Sequence, residues 1–283
     1  MSTTREIKRR IRGIHSIKQI TNAMELVSSA KLRKARRALE ESRPYYETVL
    51  ENIRDVMGVV SENHPLLERR EVKRRLVIVL TSDRGLAGGY NANVMRLAQE
   101  NIDNSGVENT LLAVGTKARD HFSRRGYDIT KSFTGIGENP TYKDAKLLAA
   151  KAMELYTNRE VDEILLVFTR FESTISYKPK VLRLLPAEGI EAHDEGVRTL
   201  MEFEPSPEAV LDALIPRYVE SAIYGALIEA AASEQGARRT AMEAATDNAN
   251  DMIDELETNY NRARQAAITS EITEIVSGAD ALN

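Results

Sequence analysis

The sequence predicts an α/β domain flanked by two very long terminal helices that pair as an antiparallel coiled coil. Three observations lead there. The first 43 residues place Ile7, Ile11, Ile14, Ile17, Ile20, Met24 and Val27 in steps of three or four, with a single glycine, Gly13, and no proline before Pro44. The last 67 residues after Pro216 contain no proline, and Met242, Ala245, Ala249, Met252 and Leu256 repeat with heptad spacing. Between them lie the short aliphatic runs RRLVIVL, TLLAVG, EILLVF and VLRLLP, separated by polar, helix-compatible stretches. Such stripes mark helices, and strands alternating with helices mark βαβ units with a largely parallel sheet.

The first helix is expected over residues 1–60. Beyond Pro44 its pattern resumes at Tyr46, Leu50, Ile53 and Met57, so the proline either bends this helix or begins a second. The middle segment, 74–200, reads as a Rossmann-like α/β domain with helices around 90–103, 116–125 and 141–158. The final helix, 207–283, opens on SPEAVLDAL: Ser206 as N-cap, Pro207 at the first helical position, and Glu208 complementing the dipole. Residues 230–237, AAASEQGA, are nearly all small and would let another helix approach closely. At 1.5 Å per residue the final helix would reach about 115 Å and the first about 85 Å. Paired along their stripes, they leave residues 264–283 overhanging with an apolar face of Ile268, Ile272, Ile275 and Val276. That face needs another protein.

Charge is divided between the ends. Residues 1–43 carry a net +8 and residues 208–283 a net −9, within a total of −4. Opposite ends of this kind are expected to meet, although exposed charges alone bind weakly. There is no cysteine, which excludes disulfides, thiolate metal sites and thiol switches. The longest apolar runs are too short to cross a bilayer, and the basic start lacks the apolar stretch of a secretory signal, so a cytoplasmic chain is expected.

TSDRGLAGGYN follows a strand and precedes a helix, where phosphate loops occur. It matches neither G-x-G-x-x-G nor a Walker sequence. A tight turn seating the helix is the favoured reading, and an α/β enzyme holding a phosphorylated ligand at Gly85–Gly89 is the alternative. Asp83 and Arg84 beside it read as a loop-fixing salt bridge. The basic N-terminal run lacks interleaved aromatics and reads as a solvated face rather than a nucleic-acid surface. His15, His64, His121 and His193 are scattered, without metal-ligand grouping. The heptad seam favours pairing within the chain over homodimerisation.

The ending Ile268-Thr269-x-Glu271-x-x-Glu274-x-x-x-Gly278-Ala279 resembles the C-terminal signature of the gamma subunit of F-type ATP synthases, bacterial type. ITNAMELVSSAKLRK, with Ile20, Thr21, Ala23, Met24, Val27, Lys31 and Lys34, is similar to the family's other strong segment. SDRGLAGGYN, SEQGARRTAMEAATDNA and YNRARQAAIT add to a likeness running end to end. The resemblance implies a rotary central stalk that turns inside a ring of three alpha and three beta subunits. Its foot would rest on the membrane c-ring beside the epsilon subunit, peripheral on the cytoplasmic face of the bacterial membrane. Family members are non-catalytic themselves and need no cofactor, metal, nucleic acid or membrane insertion. Arg264, Gln265 and Thr269 match positions that engage a beta-subunit loop. Met24 and Arg238 match positions near the beta-subunit lever. Glu204 matches an acidic residue that meets the polar loops of the rotor ring, though neighbouring Phe203 departs from the tyrosines of relatives. Ala118, where many relatives have glycine, is a further departure. The cysteine-bearing insertion of chloroplast relatives has no counterpart here, so redox control of that kind is not expected.

Overall fold

The computed structural model describes residues 4–57, 65–68, 70–174, 176–187 and 204–280. Along the chain these form α1 (Thr4–Met57), β1 (Arg74–Leu80), α2 (Tyr90–Asp103), β2 (Glu108–Val114) and α3 (Thr116–Ser123). There follow β3 (Ile129–Phe133), α4 (Tyr142–Thr157), β4 (Glu163–Phe171), β5 (Tyr177–Leu185) and α5 (Pro207–Asp280). The strand order is β3-β2-β1-β4-β5. The first four strands run parallel, and β5 pairs antiparallel on β4.

Strand period two distributes the aliphatic runs between two cores. Leu76, Ile78 and Leu80 of β1, with Leu112, Val114, Ile164 and Leu166, face one side, against α4 and the parts of α1 and α5 around Ile53 and Ile223. Val77, Val79, Leu111, Ala113 and Val167 face the other, against α2 and α3 through Val94, Ala98, Ala118 and Phe122. Both faces are covered, which is why the runs read as continuous rather than alternating. β3 escaped the sequence reading because it is a five-residue edge strand, ITKSF, with no fully buried residue. β5 supplies the mixed edge of the otherwise parallel sheet.

Two features fix the sheet's ends. Gly115 adopts φ 92° between β2 and α3, and a Cβ there would collide with the Thr81 carbonyl. Gly115→Ala is therefore expected to cost about 3 kcal/mol or more, through backbone strain together with the clash. Urea denaturation of the purified chain measures it. At the other end, Asp162 accepts the backbone N–H groups of Lys73 and Arg74 at 3.1 and 2.9 Å. Burial alone would raise its carboxyl. Those two N–H groups and the nearby Arg74 and Arg70 outweigh burial and hold it below its ordinary value. A depressed folded-state pKa contributes stability above the unfolded value of about 3.9 and loses it as pH falls through the folded value. Asp162→Ala should accordingly destabilise at pH 7, and the gap between variant and parent should narrow in denaturation carried out near pH 2–3.

The long helices both form without interruption. α1 continues through Pro44 and α5 through Pro216. The α5 start is capped as expected: Ser206 Oγ accepts the Ala209 N–H at 3.3 Å, and Glu208 is held low by its own N–H and by Ser206. Contacts gather the chain into two compact units. One is built from α1 up to Ser28 and α5 from Arg239 onward; the other runs from Ser29 to Arg238.

In the first unit the helices run antiparallel along a seam of Ile7, Ile11, Ile14, Lys18, Thr21 and Ser28 on α1. On α5 the seam is Met242, Thr246, Ala249, Ile253 and Leu256. Thr21 and Thr246 share a hydrogen bond of 2.8 Å across it. This corrects two expectations. Ile17, Ile20 and Val27 are 54%, 60% and 55% exposed, while Thr21 and Ser28 are buried. Steps of three from Ile14 to Ile20 turn each residue about 60° back off the seam, whereas a coiled coil alternates three and four. On α5, Met252 is 53% exposed and its neighbour Ile253 is buried, so the heptad passes through 253.

In the second unit the small residues of α5 admit β4, the β4–β5 turn and the start of α2. A Cβ on Gly236 would lie 3.6 Å from the Thr174 carbonyl, and Ser233 Oγ donates to Thr169 O at 3.2 Å. Ala237 packs on Ala87, Tyr90 and Tyr177.

Candidate partner-contact surfaces

The glycine loop leaves β1 at Ser82. Asn91 Oδ1 accepts the Ser82 N–H at 3.0 Å, and Leu86 and Gly88 take positive φ of 61° and 52° to close the turn. Asp83 does not pair with Arg84 as expected. Its carboxylate accepts from Thr116 N, Thr116 Oγ1 and Gly135 N, each at 2.9 Å, joining three loops at the carboxyl end of the sheet. Arg84 instead reaches Glu138 at 3.5 Å, and Lys31 of α1 donates to the same carboxylate at 3.1 Å. The Lys31 hydrogen bond leads the influences that hold Glu138 below the usual range.

From α5, Arg238 donates to Glu234 at 2.6 Å and to the Gly85 carbonyl at 3.3 Å. Both side chains of this pair are buried. Burial raises Glu234, and the Arg238 guanidinium pulls it back only in part. The loop is therefore occupied by protein groups: Tyr90 fills its underside, and Arg238 takes a carbonyl on its rim. α1 through Lys31 and α5 through Arg238 are each fastened to loops of the sheet. Sequence reasoning reached Arg238 through resemblance but missed Glu138 and Glu234. Glu138 sits in a loop after the unrecognised β3, and Glu234 lies among alanines that carry no catalytic signature.

Two apolar surfaces lie in the first unit. Arg264, Gln265, Thr269, Glu271 and Glu274 are exposed, and Ile268, Ile272 and Ile275 are 44%, 56% and 71% exposed. Gly278 and Ala279 belong to α5, but their side-chain surroundings lie outside the described residues. On α1, Ile17, Ile20 and Val27 form the second surface, with Met24 half-buried beside them. Clustered exposed isoleucines of this kind are the chemistry of a protein-contact surface. In the second unit Glu204 is exposed, two residues before the Ser206 cap, while Phe203 lies outside the described residues.

A family model described as ATP synthase matches residues 3–282. The chain is 54% identical to the ATP synthase gamma chain of Alkaliphilus metalliredigens, covering 98% of both proteins. It is 50% identical to that of Heliobacterium modesticaldum over the whole of both. The chain belongs to the ATP synthase gamma chain family. The gamma chain of Acetobacterium woodii, described as sodium ion specific, is 47% identical over 98% of both chains. Among solved structures, the chain resembles one from the central stalk and c-ring of the Tetrahymena thermophila mitochondrial ATP synthase. There the TM-score is 0.60 at 29% identity, over 80% of this chain and 99% of that one. A rotor chain of the Euglena gracilis mitochondrial enzyme, at 20% identity and TM-score 0.67 over 94% of this chain and 98% of that one, shares the fold.

The gamma-family fold is thus the one read from the sequence: long antiparallel terminal helices with a central α/β domain. Among the described residues no helix is long and apolar enough to cross a membrane, and no three His, Cys, Asp or Glu side chains converge as metal ligands.

Proposed function

We propose that this gamma-family chain is the central stalk of a rotary ATP synthase, and that it couples ion-driven turning of a membrane rotor ring to ATP synthesis and hydrolysis on beta subunits. The observation that carries the reading is the exposed isoleucine face of residues 268–275, joined to a helix that is paired up to about residue 263. An apolar end without directional hydrogen bonds can turn in a hydrophobic collar, whereas a hydrogen-bonded end would hold one angle. The α1 face of Ile17, Ile20 and Val27 offers a second bearing of the same chemistry to the alpha and beta subunits.

In this reading Arg264, Gln265 and Thr269 engage a beta-subunit loop, and Met24 and Arg238 act near the beta-subunit lever. Glu204 meets the polar loops of the c-ring, with the epsilon subunit beside it. The segments 1–60, 74–200 and 207–283 serve as first shaft helix, foot domain and second shaft helix. The chain performs no chemistry itself; it transmits force. It sits peripherally, on the cytoplasmic side of the bacterial membrane. Restoring the full-length chain to membranes stripped of it should restore ATP-driven ion pumping, and a tagged chain should co-purify with alpha and beta subunits. Recovery of the chain without either subunit would contradict the proposal.

A further inference from the structure

A cavity of about 760 Å³ lies inside the second unit, between α1, α4, α5 and the β4–β5 pair. None of the proposed contacts uses it. Its volume falls within the range of small-molecule sites. Three cations reach it from three elements: Arg43 from α1, Arg170 from β4 and Lys180 from β5. Two carboxylates, Glu47 and Glu229, also line it. Three cations against two carboxylates leave the lining net positive, and Glu229 is held by the Phe171 N–H at 3.3 Å. The walls are aromatic, with Tyr142 and Tyr224 meeting edge to face at 5.5 Å and Phe168 at the base.

Gly225 of α5 completes the lining. A glycine within a helix costs about 1 kcal/mol relative to alanine. Here neither steric reason for one applies: its φ is ordinary, and an added Cβ would meet nothing within 4 Å. What the missing side chain preserves is room in the cavity wall.

We propose that this cavity binds a flat aromatic anion, a ring system carrying a phosphate or comparable head group. The ring lies against the tyrosine wall in the space Gly225 leaves. The head takes charge-assisted hydrogen bonds from Arg43, Arg170 and Lys180, which gain strength beside apolar walls. Such a ligand would bridge both long helices and the sheet edge.

The test is calorimetric titration of the purified full-length chain with 1-naphthyl phosphate and, separately, with inorganic phosphate. One naphthyl phosphate should bind per chain, with inorganic phosphate at least about tenfold weaker because it lacks the ring. Gly225→Leu should weaken binding by about tenfold or more. Gly225→Ala should largely retain it while raising the melting temperature. Arg170→Gln, at an exposed position that leaves folding intact, should weaken the naphthyl compound by about tenfold. No heat from either probe, as a socket for a partner's side chain would give, overturns the proposal. So does affinity unchanged in both Gly225→Leu and Arg170→Gln.

Discussion

Arg238→Ala is expected to destabilise the α/β unit by about 3–5 kcal/mol, the usual loss when one member of a buried ion pair is removed. Arg238 is 6% exposed and Glu234 2%, and the 2.6 Å contact between them joins adjacent turns of α5. Without the guanidinium, Glu234 must either keep a buried charge near Glu138 and Asp83 or take up a proton, and the Gly85 carbonyl loses its donor. Burial already raises the Glu234 carboxyl, so protonation caps the penalty. Glu234→Gln combined with Arg238→Met should recover most of the stability, since no charge is then left unpaired. Chemical denaturation of the parent, Glu234→Gln, Arg238→Met and the double variant forms a double-mutant cycle. A coupling energy near zero would mean that the buried Arg238 stabilises the unit through contacts other than Glu234, such as the Gly85 carbonyl. A large one would show that the buried pair itself carries the stability.

Ending the chain after Ala263 is expected to lower coupled ATP synthesis by about three- to tenfold while leaving the α/β unit folded. Each isoleucine that a collar covers contributes about 1.5–3 kcal/mol before the costs of association, and the truncation removes Ile268, Ile272 and Ile275 together. The removed stretch is exposed throughout 264–275, so its loss opens no cavity in the chain itself. Reconstituted vesicles report synthesis, and melting of the isolated chain reports folding. Assembly and coupling equal to the full-length chain would remove the bearing role from the tip.

The architecture was legible wherever one periodicity dominated. Three aliphatic runs became β1, β2 and β4 because burial on both faces demands continuous apolar sequence, and VLRLLP fell in the edge strand β5, buried only at its end. The Ser206-Pro207-Glu208 start was legible because capping is local chemistry. The seam was read correctly at Ile7, Ile11, Ile14, Met242, Ala249 and Leu256 but one step out of place at several positions between, for a common reason. Isoleucines 17 and 20 and Met252 look like core by composition, but the pairing puts Thr21, Ser28 and Ile253 inside. A sequence that spends apolar residues on an outer face gives no sign, without a partner, of which face is outer. The loop network was hidden for another reason. Asp83, Glu138 and Glu234 are 151 positions apart at the extremes, and only the fold brings their loops and helix to one end of the sheet.

The account rests on the terminal helices being wound together in one register, with Thr21 facing Thr246. The chain has no cysteine of its own, so Thr21→Cys/Thr246→Cys introduces a single possible disulfide, and Thr21→Cys/Met252→Cys serves as control. Mild oxidation of the assembled enzyme should close the 21–246 pair almost completely, leave the control largely open, and leave ATP-driven turning intact because the bond is internal to the shaft. A 21–246 pair that stays reduced, or a control that closes as readily, would contradict the register and the stalk built on it.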